Sequence, residues 1–167
     1  MTGEDRLFAD LSALGIAHEL IEHPAVFTVD ESRVLHRTIP GAHTKNLFLK
    51  DAGGKFWLVT VPADARVDLK ALPEAIGSKK VSFGKAEDME SLLGVAPGSV
   101  TPVAAINDGD GKVTVVLDAA FKGSEQINVH PLRNTATIGL AASDLVRALR
   151  HWGHDPLIVS IPAKEFA

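Results

Sequence analysis

Three short stretches of this 167-residue chain carry side chains whose types and spacing suit them to chemistry. The first, His43-Thr44-Lys45-Asn46-Leu47-Phe48-Leu49-Lys50-Asp51, sets a lysine and an asparagine at the mouth of an otherwise apolar strand. Strand side chains alternate, so Lys45, Leu47 and Leu49 share one face while Asn46, Phe48 and Lys50 share the other. A lysine on the face of two leucines is either an edge residue that snorkels into water or a charge held for a substrate. The second stretch, Gly94-Val95-Ala96-Pro97-Gly98-Ser99-Val100-Thr101-Pro102, is a helix stop followed by a Pro-Gly turn and a second proline. Such a loop fixes its backbone and can turn the N–H groups of Gly98 and Ser99 toward an oxygen-rich ligand, or it serves as a rigid connector. The third, Ile127-Asn128-Val129-His130-Pro131, puts a histidine at a strand end where proline blocks further pairing, a place where structural histidines are common.

Other motifs fail. Asn107-Asp108-Gly109-Asp110-Gly111 resembles the start of a calcium loop but lacks the ligand spacing and closing glutamate of an EF-hand, so it reads as a turn. The Gly94–Gly98 stretch is neither a dinucleotide fingerprint nor a P-loop. His151 and His154 have no third ligand nearby and suit the C-terminal end of a helix better than a metal. A Ser99, His130, Asp118 triad lacks the elbow that exposes a nucleophilic serine. No metal site and no cofactor are expected.

The elements that must position these residues alternate along the chain. Residues 2–14 read as a helix capped by Thr2 and ended by Gly15, and residues 17–22 as a short strand. Thr28-Val29-Asp30-Glu31 has the capping-box pattern, which predicts a second helix to about His36. Lys45–Asp51 and Lys55–Pro62 flank Ala52-Gly53-Gly54 as a hairpin, and Phe56–Val61 is apolar on both faces, which predicts a central strand covered twice. Asp68–Ile76 and Lys85–Leu93 read as helices. Val103–Ile106 and Lys112–Asp118 read as a second hairpin around Asn107–Gly111. Strands near Ile127–His130 and Ala136–Gly139 follow, then a helix from about Ala142 to Trp152 opened by Ser143 or a neighbour, and a last strand or extended tail at 157–161. The expectation is one domain over residues 1–167, α+β or mixed α/β, with a mixed central sheet and helices around it.

Composition narrows the function classes. With 46% hydrophobic and 23% charged residues the chain is typical of globular proteins. It has no cysteine, hence no disulfide, thiolate nucleophile or thiolate metal site. No apolar run approaches a membrane span, and the acidic-leaning start carries no apolar signal region, so a cytoplasmic location is expected. The net charge of −4 argues against a general nucleic-acid coat and against sequence-specific DNA binding. A local basic rim stays open, with Arg37, Lys45, Lys50, Lys79, Lys80 and Lys122 as candidates.

Taken together, Thr44–Asp51, Gly94–Pro102 and Asn128-Val129-His130-Pro131 resemble the YbaK/ProX aminoacyl-tRNA editing family, in order and over nearly the whole chain. Within it, the free-standing prolyl-tRNA editing proteins of the ProXp-ala type are most similar. The resemblance implies a YbaK-like editing fold and a hydrolase that cleaves the ester of mischarged tRNA, foremost Ala-tRNA(Pro). Cysteinyl- or seryl-tRNA, or a catalytically silent tRNA-binding domain, are the alternatives. It implies that Lys45 is the essential lysine, that Asn46, Gly98, Ser99 and His130 bind substrate, and that Arg37, Lys50, Lys79 and Lys80 contact tRNA. The acceptor end of mischarged tRNA is the implied partner, with prolyl-tRNA synthetase or an elongation factor beside it. Without a nucleophile, direct water attack fits this set, Lys45 polarising the ester; His130 as general base is the competing mechanism.

Overall fold

The computed structural model describes residues 3–25, 34 and 38–164. Of the helix expected from Thr28 to about His36 only Val34, in a helical state, is among them, and Arg37 lies outside them.

Eight strands form one mixed sheet. In chain order they are β1 (His18–Glu22), β2 (Ala42–Asp51), β3 (Phe56–Pro62), β4 (Val81–Phe83), β5 (Val113–Asp118), β6 (Ile127–Val129), β7 (Ala136–Leu140) and β8 (Leu157–Val159). Their spatial order is β1-β7-β6-β2-β3-β5-β8, with β4 added to β2. The hairpin of β2 and β3 is antiparallel, whereas β5 runs parallel to β3 and β8 parallel to β5. The helices are α1 (Gly3–Ala13), α2 (Leu72–Ile76), α3 (Ala86–Leu93) and α4 (Ala142–His151).

Alternation along the central strands divides the core into two clusters, one on each face. Phe48, Leu58 and Val115 pack with Leu7 and Leu11 of α1, Leu93 of α3 and Leu145 and Leu149 of α4. Leu49, Val59, Val61 and Val116 pack with Leu72 and Ile76 of α2 and with Leu157 and Val159 of β8. The run Trp57–Val61 is buried throughout, as expected of a central strand covered on both faces. Each wholly buried leucine contributes roughly 1.5–3 kcal/mol relative to exposure, so these two faces anchor every strand the site uses.

Three expected elements differ. Val103–Ile106 is no strand: Pro102–Asn107 is a run of 3₁₀ helix, and β5 pairs in parallel with β3 instead of closing a hairpin. Pro102 through Ile106 are all buried, and a short apolar run buried on every side carries no period that separates strand from helix. The helix expected over 68–76 starts only at Leu72. Before it, the Asp68 carboxylate accepts the N–H groups of Lys70 and Ala71, and Pro73 occupies the first turn, where its missing N–H costs nothing. At α4 neither Ser143 nor another side chain caps the helix; Ala141 stands at the N-cap position. Strand β4 was not expected from the sequence at all.

Candidate functional site

The site forms where β2 changes partners. On one edge β2 pairs with β3 without interruption from Thr44 to Lys50. On the other it pairs with β6 at Ala42 and His43, and with β4 at Leu49, Lys50 and Asp51. Between these lies a gap that no strand fills among the described residues. Peptide directions follow from the bonds on either side. The Ala42 N–H donates to the Gln126 carbonyl at 2.9 Å, and the Phe48 carbonyl accepts from the Gly84 N–H at 2.8 Å. The His43 carbonyl accepts from the Ala63 N–H, and the Asp51 N–H donates to the Lys55 carbonyl, both at 2.9 Å. Odd-numbered residues thus aim their peptide groups at β3, and even-numbered ones aim at the β6 and β4 edge. Asn46 is even, so its peptide N–H and C=O both open into the gap.

Lys45 lies on the face of Leu47 and Leu49, opposite Val61 in the ladder. It is half-buried, and its ammonium makes no ion pair or hydrogen bond among the described residues. The parallel register of β2 and β6, His43 beside Asn128, places position 130 beside position 45 when continued by two residues. The Thr44 hydroxyl secures that level by donating to the Asn128 carbonyl at 2.6 Å. On β6 and β7, Ile127, Val129, Ile138 and Leu140 face the first cluster, so alternation turns Asn128 and Thr137 toward the Lys45 face.

His130 stands one residue beyond β6 and is largely buried. Its Nδ1 lies 3.3 Å from the Ala136 carbonyl, which can only accept, so Nδ1 carries the proton and Nε2 keeps its lone pair. Burial pushes the imidazole below its usual range; the Ala136 bond opposes this, and neighbouring His23 adds to it. His23 donates from Nδ1 to the Pro24 carbonyl at 2.8 Å and holds the Thr137 hydroxyl through Nε2 at 2.9 Å. Among the described residues no carboxylate orients His130, and Asp118 instead accepts the Ala120 N–H, which speaks against the serine triad.

Asn46 points to the opposite face from Lys45. Its Oδ1 accepts the hydroxyl of fully buried Thr60 at 2.6 Å, and its Nδ2 donates to the Val100 carbonyl at 2.9 Å. The side chain is therefore a clamp that fastens the 97–101 loop to the sheet. In that loop the Ser99 N–H is consumed by the Ala96 carbonyl at 2.9 Å, contrary to the expectation that it is free for a ligand. Gly98 is exposed and its N–H carries no bond among the described residues. A side chain at Gly98 would press on Asn134, 3.3 Å away, so the loop abuts the turn that joins β6 to β7. In that turn Leu132 has φ 73°, unique among the described non-glycine residues. Such strain gathers at functional sites.

The basic candidates are spread along β2 and β4. Lys50 is exposed on the Asn46 face, its Nζ 5.4 Å from the centre of the Phe56 ring. Lys79 and Lys80 are exposed just before β4. Their strand is locked by Asp51, which accepts from Gly53 N, Lys55 N, Trp57 Nε1 and Lys79 N at 2.9 to 3.3 Å. His154 is buried and donates to the Asp108 carbonyl at 2.8 Å, a structural tie and not a ligand position. No cluster of three metal-ligating side chains occurs among the described residues. An apolar cavity of about 380 Å³ lies elsewhere, between α4, β8 and Phe121.

Sequence reasoning overlooked Thr60, Thr137 and His23. Thr60 sits opposite Asn46 only because of the hairpin register, and a hairpin with its turn placed at Gly53-Gly54 contains that pairing. His23 and Thr137 meet through pairing of β1 with the distant β7, which leaves no local signal.

Comparison with known proteins agrees with this architecture. Residues 23–148 match the family model described as aminoacyl-tRNA editing domain. Prolyl-tRNA synthetase associated domain-containing protein 1 from Bos taurus is 43% identical over 155 residues, covering 90% of each chain. Prolyl-tRNA editing protein ProX from Acetoanaerobium sticklandii is 35% identical over 155 residues, covering 92% of this chain and 94% of its own. A crystal structure titled as a candidate trans-editing enzyme for prolyl-tRNA synthetase superposes with a TM-score of 0.70 at 20% identity, covering 97% of this chain and 99% of that one. At that identity the likeness concerns the fold.

Proposed function

Because this chain belongs to the aminoacyl-tRNA editing domain family, we propose that it is a trans-acting deacylase that hydrolyses the ester of mischarged tRNA, foremost Ala-tRNA(Pro). The observation that carries this reading is the half-buried Lys45 ammonium, without a partner among the described residues, beside the gap in the β2 edge, with position 130 next to it in the continued register. A partly desolvated cation gains from a partner of opposite charge or strong dipole. The carbonyl of an aminoacyl ester, or the phosphate behind its ribose, is such a partner.

In this reading the amino acid enters the gap and a water attacks the ester carbonyl. Lys45 holds and polarises the substrate without attacking it. The Gly98 N–H and the Asn46 peptide N–H are neutral donors near the developing oxyanion, an arrangement in which removal of one donor typically costs about 10²–10³ in rate. Asn46 acts through its side chain on the loop, and Ser99 shapes that loop. Arg37, Lys50, Lys79 and Lys80 serve the tRNA. The need for such an enzyme is physical: a synthetase pocket built for proline rejects a smaller side chain by only about 1–3 kcal/mol per missing methylene. The whole chain then acts as one cytoplasmic editing unit that meets tRNA alone or beside prolyl-tRNA synthetase or an elongation factor.

One observation favours a larger role for His130. Its Nδ1 proton is committed to Ala136 and burial favours the neutral ring, which leaves Nε2 as an acceptor suited to a general base.

The test is deacylation of alanyl-, cysteinyl-, seryl- and prolyl-tRNA(Pro) by the wild-type chain and by Lys45→Ala. Release of alanine and retention of proline are expected, with the variant slower by about 10²–10³. Release of serine or cysteine alone reassigns the substrate. If none of the four is hydrolysed, the chain is a binding domain, and a fully active Lys45→Ala removes the role given to that lysine.

A further inference from the structure

We propose that Phe83 is a stacking platform for a nucleobase of the single-stranded acceptor end, a proposal that rests on the tRNA-editing reading of the Lys45 site. Phe83 is 64% exposed, the most exposed of the large hydrophobic side chains described. Single exposed apolar residues are ordinary, and position is what distinguishes this one. It ends β4, which among the described residues pairs with β2 alone, leaving its other edge without a strand. Natural edges of this kind are usually blunted with charge, and a bare aromatic ring there asks for a ligand.

The register sets Phe83 beside Leu49, on the face that carries Leu47 and Lys45 further up the same strand. Val81, two residues earlier on that face, is buried in the second core cluster, so the ring continues an ordered surface. Four residues of strand separate Leu49 from Lys45, about 13 Å at the usual rise. A nucleotide or two bridge that span from an ester held at Lys45. Exposed lysines flank the strand that carries the ring: Lys79 and Lys80 precede β4 and Lys85 follows it, while Lys50, across from Ser82, lies on the opposite face of the same edge. None of the four is ion-paired among the described residues. Cations that flank an exposed aromatic ring are what a single polynucleotide strand requires: charges that follow phosphates, and a flat face that takes any base. A peptide partner would use the lysines but would gain little from one isolated ring.

The experiment uses the full chain and an RNA hairpin that ends in a single-stranded 3′ ACCA tail, with 2-aminopurine in place of the terminal or the penultimate purine. Quenching of 2-aminopurine on titration reports stacking, and the binding curve gives affinity. Wild type is expected to quench the probe. Phe83→Ala should lose the quenching and bind about tenfold more weakly, whereas Phe83→Trp should retain both. A blunt hairpin without the tail should bind wild type and Phe83→Ala equally, and the salt dependence should be the same for both, since no phosphate contact is removed. Unchanged quenching in Phe83→Ala, or an equal loss on the blunt hairpin, overturns the proposal. The two readings fail separately. A chain that stacks the tail but deacylates nothing refutes the editing function, and one that deacylates normally with unaltered KM in Phe83→Ala refutes the platform.

Discussion

Asn46 offers the sharpest test of how the site is held. Its Oδ1 takes the Thr60 hydroxyl at 2.6 Å and its Nδ2 reaches the Val100 carbonyl at 2.9 Å, so one amide joins the floor of the sheet to the 97–101 loop. In Asn46→Ala the Thr60 hydroxyl, which has no exposed surface, is left without an acceptor. That desolvated group costs about 1–3 kcal/mol, and loss of the Val100 bond adds about 0.5–1.5 kcal/mol. The total is roughly 2–4 kcal/mol, which at about 2–4 °C per kcal/mol for a domain of this size lowers Tm by on the order of 10 °C. Asn46→Asp separates the two bonds: it keeps an acceptor for Thr60 but turns a carboxylate oxygen toward the Val100 carbonyl. The fold should survive while the loop is pushed away, so Ser99 amide exchange should accelerate and kcat/KM fall about tenfold or more. The decisive variant is Asn46→Ala with Thr60→Val. Removing the orphaned hydroxyl should restore about 1–2 kcal/mol in urea unfolding. A double variant that instead loses the sum of the two single effects would show that Asn46 and Thr60 are not coupled and that the clamp is wrong.

Four further outcomes follow from the same geometry. Burial, with His23, lowers the pKa of His130 against the opposing Ala136 bond; the neutral ring therefore stabilises the fold fully above the unfolded value near 6.5, and this contribution is lost as pH falls through the lower folded value. Activity should share that acid limb, and a kcat/KM profile with the same limb in His130→Gln would disprove the assignment. Asp51 is the mirror case: burial would raise its pKa, but the donors from Lys55, Lys79, Trp57 and Gly53 outweigh it, so its stabilisation holds above the ordinary carboxylate range and fades as pH drops below it. Asp51→Ala should cost on the order of 3 kcal/mol in denaturant unfolding, because the buried Trp57 Nε1–H and three part-buried backbone N–H groups lose their acceptor; a loss within about 0.5 kcal/mol contradicts this. Gly84→Ala places a methyl group against the Phe48 ring, and calorimetry should show about 1–3 kcal/mol of overpacking. Thr101 is fully buried and its hydroxyl has no partner among the described residues, so Thr101→Val should be neutral or stabilising, and a marked fall in Tm would reveal a missed bond.

What the sequence disclosed and what it withheld divide along a physical line. The hairpin of β2 and β3, helices α1, α3 and α4 and the strands flanking His130 each carry a local period or a turn signal, and all are present. The opposed directions of Lys45 and Asn46 were legible too, since strand alternation alone dictates them. Parallel pairing was not legible. Lys112–Asp118 reads equally well as the second arm of a hairpin or as a strand beside β3, and only long-range packing decides. For the same reason the register that joins His43 to Asn128, and that sets position 130 level with position 45 when continued, has no local signature. Ser99 illustrates a subtler limit: its loop is as rigid as expected, but the rigidity itself consumes the N–H that was expected to be free.

The gap in β2 explains why two adjacent residues divide the work. A strand paired along both edges would satisfy the Asn46 peptide groups and leave nothing for a ligand. Here β6 stops at Val129, and β4 begins pairing only at Leu49, so among the described residues no strand meets the peptide groups of Asn46 on that edge. An open edge is a liability unless something rigid frames it. Asn46 supplies the frame by drawing the 97–101 loop over one face, and the turn after His130 closes the side. Lys45, sent to the other face by alternation, is released from structural duty because the residue beside it has taken that duty on. The lysine is thus left half-buried, without a partner among the described residues, by the same register that fastens the asparagine.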